Sequence, residues 1–125
     1  MKLRILNNSI RLRLSQSEVK RIADHEPVIV TTHFPNQQTL TYHLTETTTE
    51  NPEALFENNT IHIRIPALQL HNWATTNEVG IQTSISTGDK TTLSILIEKD
   101  FRCLTDRPNE DEQDLFPHPT DNPKC

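Results

Sequence analysis

The stretch Ile5–Leu14, ILNNSIRLRL, returns fifty-one residues later as Phe56–Ile65, FENNTIHIRI. Each copy places Asn-Asn before a hydroxyl residue and then alternates apolar with polar or basic side chains. Asparagine tolerates positive φ better than other non-glycine residues, so Asn7-Asn8 and Asn58-Asn59 are read as the central pairs of type I′ hairpin turns. Around Asn7-Asn8 this register sets Leu3 opposite Leu12, Ile5 opposite Ile10, Arg4 opposite Arg11 and Lys2 opposite Arg13. Around Asn58-Asn59 it sets Phe56 opposite Ile61, Ala54 opposite Ile63 and Glu53 opposite Arg64. In both hairpins one face is apolar, and a slip of one residue would send it to the other side.

A helical segment follows each hairpin. Ser15-Gln16-Ser17-Glu18 is a capping box, and Val19, Ile22 and Ala23 share a face of a helix expected to end near His25, ahead of Pro27. In the second copy Pro66 is placed in the first helical turn, with Leu70, Trp73 and Ala74 as the matching stripe. Two Thr-, Val- and Ile-rich strands then complete each copy: Val28–Phe34 with Thr39–Glu46, and Val79–Ser86 with Thr91–Lys99. The pattern predicts an α+β fold of duplicated strand-strand-helix-strand-strand modules, with about eight strands and two helices forming one antiparallel barrel or highly curved sheet. Repeat 1 covers about residues 2–46 and repeat 2 about 53–99, within one domain over 1–103. Residues 104–125 form an acidic, proline-rich C-terminal tail.

A length of 125 residues suits one modest core. No apolar run is long enough for a membrane helix, and Met1 leads into a patterned strand rather than a signal peptide, so a cytoplasmic protein is expected. Residues 1–99 hold nine Lys/Arg and ten Asp/Glu, whereas residues 100–125 hold three and seven. An acidic chain with one Trp and one Tyr argues against sequence-specific nucleic-acid binding. Two glycines leave no phosphate-cradling loop, and no nucleophile elbow, Walker motif or metalloprotease helix is written. No cofactor is expected.

Lys2, Arg4, Arg11 and Arg13 are the most informative group, four cations on one face of one hairpin. Like charges placed opposite each other disfavour strand pairing, so the face requires hydration or an acidic partner. An arginine fork suits phosphate or carboxylate, which makes an acidic ligand or protein the expected partner of a monomer or homodimer. The plain alternative is a solvated strand face, and a further one has the acidic segment Glu110–Asp114 folding back onto it. Arg64, balanced by Glu53, is the related cation of the second copy. His33, His43 and His62 read as ordinary polar-face histidines, and Glu98-Lys99-Asp100 as a charge cluster ending the last strand. Cys103, His118 and Cys125 with an aspartate make a sensible zinc set if the tail folds back; otherwise the thiols are reduced and free.

The run Lys2-Leu3-Arg4-Ile5, Asn8–Leu14 and Ser17-Glu18-Val19, together with Ile97–Leu104, resembles a family of small bacterial proteins of unknown function over nearly the whole chain. That resemblance implies a bacterial, stand-alone domain. In strand order the chain is also similar to the triphosphate tunnel (CYTH) superfamily, although Lys2–Leu6 stands where that superfamily carries Glu-x-Glu-x-Lys. The second resemblance implies a barrel in which inward-facing Arg11, Arg13 and Arg64 hold phosphates and Glu98 a divalent metal. Three functions therefore stand side by side: a non-enzymatic module binding a ligand or protein through the cationic hairpin face, a binder or hydrolase of phosphorylated compounds, and a zinc-stabilised domain.

Overall fold

Both Asn-Asn pairs close two-residue hairpins in the register read from the sequence, with Arg4 opposite Arg11 and Glu53 opposite Arg64. Asn58 and Asn59 both have positive φ, as a type I′ turn requires. In the first turn only Asn7 does, which corrects the type I′ expectation there. Asn8 instead spends its side-chain amide on the Thr92 carbonyl at 2.7 Å, a bond that Asn59 does not make.

The computed structural model describes residues 1–101 and 114–117. In chain order the elements are β1 (Lys2–Leu6), β2 (Ser9–Leu14), α1 (Gln16–Ala23), β3 (Val28–His33), β4 (Thr39–Thr47), β5 (Glu53–Glu57), β6 (Thr60–Pro66), α2 (Ala67–Thr75), β7 (Gly80–Ser86) and β8 (Thr92–Lys99). The eight strands form two four-stranded sheets, ordered β1-β2-β8-β7 and β3-β4-β6-β5. Hairpin neighbours are antiparallel, but the central pairs β2–β8 and β4–β6 are parallel. This corrects the antiparallel barrel: the described residues form two mixed sheets and no closed barrel. The physical reason is that each hairpin of the first half takes its neighbour from the second half. Alternation along a strand states which side chains turn inward, and says nothing of which strand lies beside it.

The correspondence between halves also changes along the chain. It is fifty-one residues through the Asn hairpins and helices, but Ser9 pairs with Ser94 where Thr60 pairs with Thr41, an offset of fifty-three for the last two strands. The second half thus has two extra residues between its helix and the following strand. An even insertion preserves the facing of every side chain.

The inward faces meet in one hydrophobic cluster that draws Ile10, Leu12 and Leu14 from β2, Ile61, Ile63 and Ile65 from β6, and Ile95 and Ile97 from β8. Val19, Ile22, Leu70 and Trp73 carry both helices into it. Trp73 is fully buried, and its ring N–H donates to the Val79 carbonyl at 3.0 Å, so no polar atom is stranded. Ser15 and Glu18 form the expected capping box, and α1 stops at Asp24 as His25 turns to a φ of 62°. Pro66 sits at the N-cap of α2, one position before its expected place, because it is still the last residue of β6, with an extended ψ of 134°.

Leu115 is buried and Phe116 packs beside Phe101, with the Phe116 N–H donating to the Asp100 carbonyl at 2.8 Å. Asp114 accepts from the Ser17 backbone N–H at 3.2 Å and its hydroxyl at 2.5 Å. It serves the start of α1, whose first N–H groups lack intrahelical partners, rather than the hairpin cations.

Candidate functional site

Strand alternation turns Lys2, Arg4, Arg11 and Arg13 to the face of the first sheet opposite the core, where Arg4 is exposed and Arg11 and Arg13 are half-buried. The parallel ladder brings Glu98 of β8 directly opposite Arg13. Its Oε1 accepts from Nε of Arg11 at 2.6 Å and from Nε of Arg13 at 2.8 Å. Lys2 Nζ reaches the buried Asp100 carboxylate at 2.8 Å. Among the described residues the acidic partners of these cations are Glu98 and Asp100; residues 110–113 lie outside the described residues. One carboxylate serves two guanidinium groups, and no ion pair to Arg4 forms among the described residues.

Beside this cluster a groove of about 360 Å³ runs along the same face, lined by Arg4 and Arg11 together with Ser9, Ser94, Gln82 and Leu96. Two guanidinium groups, a carboxamide and hydroxyls are the donor set for a carboxylate or phosphate. The charge cluster at the end of β8 divides by facing. Glu98 joins the outer face, whereas Lys99 is buried on the inner one, donating to the Thr76 carbonyl at 2.7 Å and lying 5.7 Å from the Trp73 ring centre. Burial pushes the Lys99 amine below its ordinary value, partly offset by Glu78.

The second sheet shows what the same positions become with other residues. Arg64 corresponds to Arg13, Thr45 to Glu98 and Glu53 to Lys2, so the carboxylate facing the arginine has moved from the parallel neighbour to the hairpin neighbour. The Arg64–Glu53 approach is 3.9 Å, looser than the bonds around Glu98. His62 corresponds to Arg11, and the parallel register sets it opposite His43. His43 Nε2 and His62 Nδ1 are in hydrogen-bond contact, with ring centres 4.2 Å apart and nearly perpendicular. The other ring nitrogen of His43 is buried without a hydrogen-bond partner among the described residues. Desolvation, followed by His62 and Arg64, lowers the His43 pKa below its ordinary value. Reading His43 as an ordinary polar-face residue missed this pair, because the partner sits nineteen residues away on a strand that pairs only through the parallel ladder.

Three other expectations have a definite outcome. Arg11, Arg13 and Arg64 lie on outer faces and the inward faces meet in a hydrophobic cluster, so these arginines line no tunnel between the sheets. His33 is exposed at the end of β3, whereas His25 is stacked 4.9 Å from His71 and bonded to Glu46 at 2.9 Å. Cys103, His118 and Cys125 lie outside the described residues, among which no group of three or more His, Cys, Asp or Glu is placed to hold a metal ion. No helix of the described residues is long and apolar enough to cross a membrane.

Residues 1–120 match the model of a family of unknown function, DUF7009, and the chain belongs to that family. No curated protein and no solved structure matches the chain.

Proposed function

We propose that this member of the DUF7009 family is a non-enzymatic binding module whose first sheet recognises an acidic ligand or an acidic protein segment on its outer face. The observation that carries the reading is the imbalance at that face. Arg4 has no ion pair among the described residues, Arg11 and Arg13 share one carboxylate oxygen, and the Arg4–Arg11 groove offers further donors from Ser9, Ser94 and Gln82. Arg11 still has its terminal guanidinium nitrogens to offer a ligand while Nε holds Glu98. In the same reading the two halves descend from a duplicated unit, with one sheet keeping the anion-binding cations and the other replacing Arg4 by Leu55 and Arg11 by His62. A cytoplasmic, bacterial setting belongs to this proposal as well.

The test is a thermal-shift titration with tripolyphosphate and, separately, with a glutamate-rich peptide, on the wild type and on Arg4→Ala/Arg11→Ala. A ligand at one hundred times its Kd stabilises the native state by about 2.7 kcal/mol, a readily measured rise in Tm. The expected result is a saturable rise with one of the two ligands that the double substitution removes. No shift with either ligand would overturn the reading.

A further inference from the structure

β1 and β5 are the outer strands at corresponding ends of the two sheets, each paired on one side only among the described residues, with β2 and β6. The free side of an edge strand is a row of unpaired N–H and C=O groups ready to pair with another chain. Here the edges also expose apolar side chains: Ile5 is 57% and Phe56 67% exposed, and Leu6 and Leu55 are exposed beside them. Ile5 and Phe56 border an apolar groove of about 410 Å³ that is also lined by Leu40, Ile61 and Leu93, residues from both sheets. On their outer faces the two strands carry opposite charge, Lys2 and Arg4 on β1 against Glu53 and Glu57 on β5.

We infer that this surface is a homodimer interface in which β1 of each protomer pairs antiparallel with β5 of the other across the groove. The occupant is a second copy because the chain itself holds the complementary strand. Aligned over all five residues, β1 and β5 set Leu3 opposite Phe56 of the partner subunit and Ile5 opposite Ala54 of the partner subunit. Arg4 is then diagonal to both partner glutamates, within reach of a long side chain, whereas Lys2 keeps its ion pair with Asp100. Pairing β1 with β1, or β5 with β5, sets like charges against each other and is disfavoured. The antiparallel sense follows from the fold: β1 and β5 hold equivalent places in their sheets, so only a half-turn in the sheet plane brings free edge to free edge with outer faces matched. One twofold operation makes both contacts and closes the assembly. Strand addition extends each sheet sideways and leaves its face open, so Arg11, Ser9, Ser94 and Gln82 of the ligand groove stay accessible in the dimer, while Arg4 borders both surfaces.

Analytical ultracentrifugation of the full chain over a concentration series tests this, together with Arg4→Glu and Glu57→Arg. Neither residue forms an ion pair among the described residues, so both variants are expected to fold and to melt cooperatively, below the wild type only by the dimer stabilisation they lose. The wild type is expected to dimerise, and each variant alone to dimerise about tenfold more weakly or worse, equivalent to about 1.4 kcal/mol. An equimolar mixture of the two variants is expected to regain the dimer, because each altered strand then meets one of opposite charge. A wild type that stays monomeric, variants that dimerise like the wild type, or a mixture that recovers nothing would each overturn the interface.

Discussion

Glu98 and Thr45 hold equivalent places in the two sheets, each opposite an arginine across a parallel ladder. A carboxylate there draws two arginines together; a threonine leaves Arg64 to a distant glutamate and its neighbouring position to a histidine pair. The pair has a measurable consequence. His43 is neutral in the folded protein at pH values where the unfolded chain protonates it, since its folded pKa lies below the ordinary 6.5. The unfolded state therefore binds more protons as the pH falls from 6.5 towards the lowered value, and stability falls across that window. Urea denaturation at pH 7 and pH 5.5 is expected to show a loss in the wild type that is smaller in His43→Leu. An equal loss in the two proteins would assign the acid sensitivity to other groups.

At the level of elements, the hairpins were legible and their neighbours were not. Asn-Asn between alternating runs states the turn, the register and the buried face together, and all seven pairs of strand residues read from the pattern around the two turns are the pairs observed. The second turn depends on two asparagines in the left-handed region, with φ of 51° at Asn58 and 58° at Asn59. A β-branched residue at Asn59 is strained there by about 1–2 kcal/mol, whereas glycine is not. Chemical denaturation is expected to show Asn59→Val destabilised by that amount and Asn59→Gly within a few tenths of the wild type. Equal stability of the Val and Gly variants would mean that the turn adopts another conformation. The Glu98 clamp and the His43–His62 contact were invisible at this scale, because both arise across parallel pairs between strands distant in sequence.

At the scale of the whole molecule, each sheet takes one hairpin from either half of the chain, and both helices and the Leu115 segment pack onto the same body. Leu115 is 5% exposed, so its removal is a core substitution although it lies in a proline-rich, acidic stretch. Leu115→Ala is expected to cost about 2–5 kcal/mol, read as a lower urea midpoint at unchanged slope. A midpoint within experimental error of the wild type would show that the segment contributes nothing to the fold. What the sequence determined by itself was local: the place and register of the two Asn-Asn hairpins, the helix start at Ser15, the apolar face of the four hairpin strands, and the grouping of Lys2, Arg4, Arg11 and Arg13. These follow from φ preferences, capping and side-chain periodicity, each acting within a few residues. The tertiary structure alone decided the two mixed sheets in place of a barrel, the choice of Glu98 as the shared partner of Arg11 and Arg13, and the exposure of two oppositely charged edges. Those outcomes depend on which distant strands lie side by side, which is settled by the packing of the common core and left open by any local pattern.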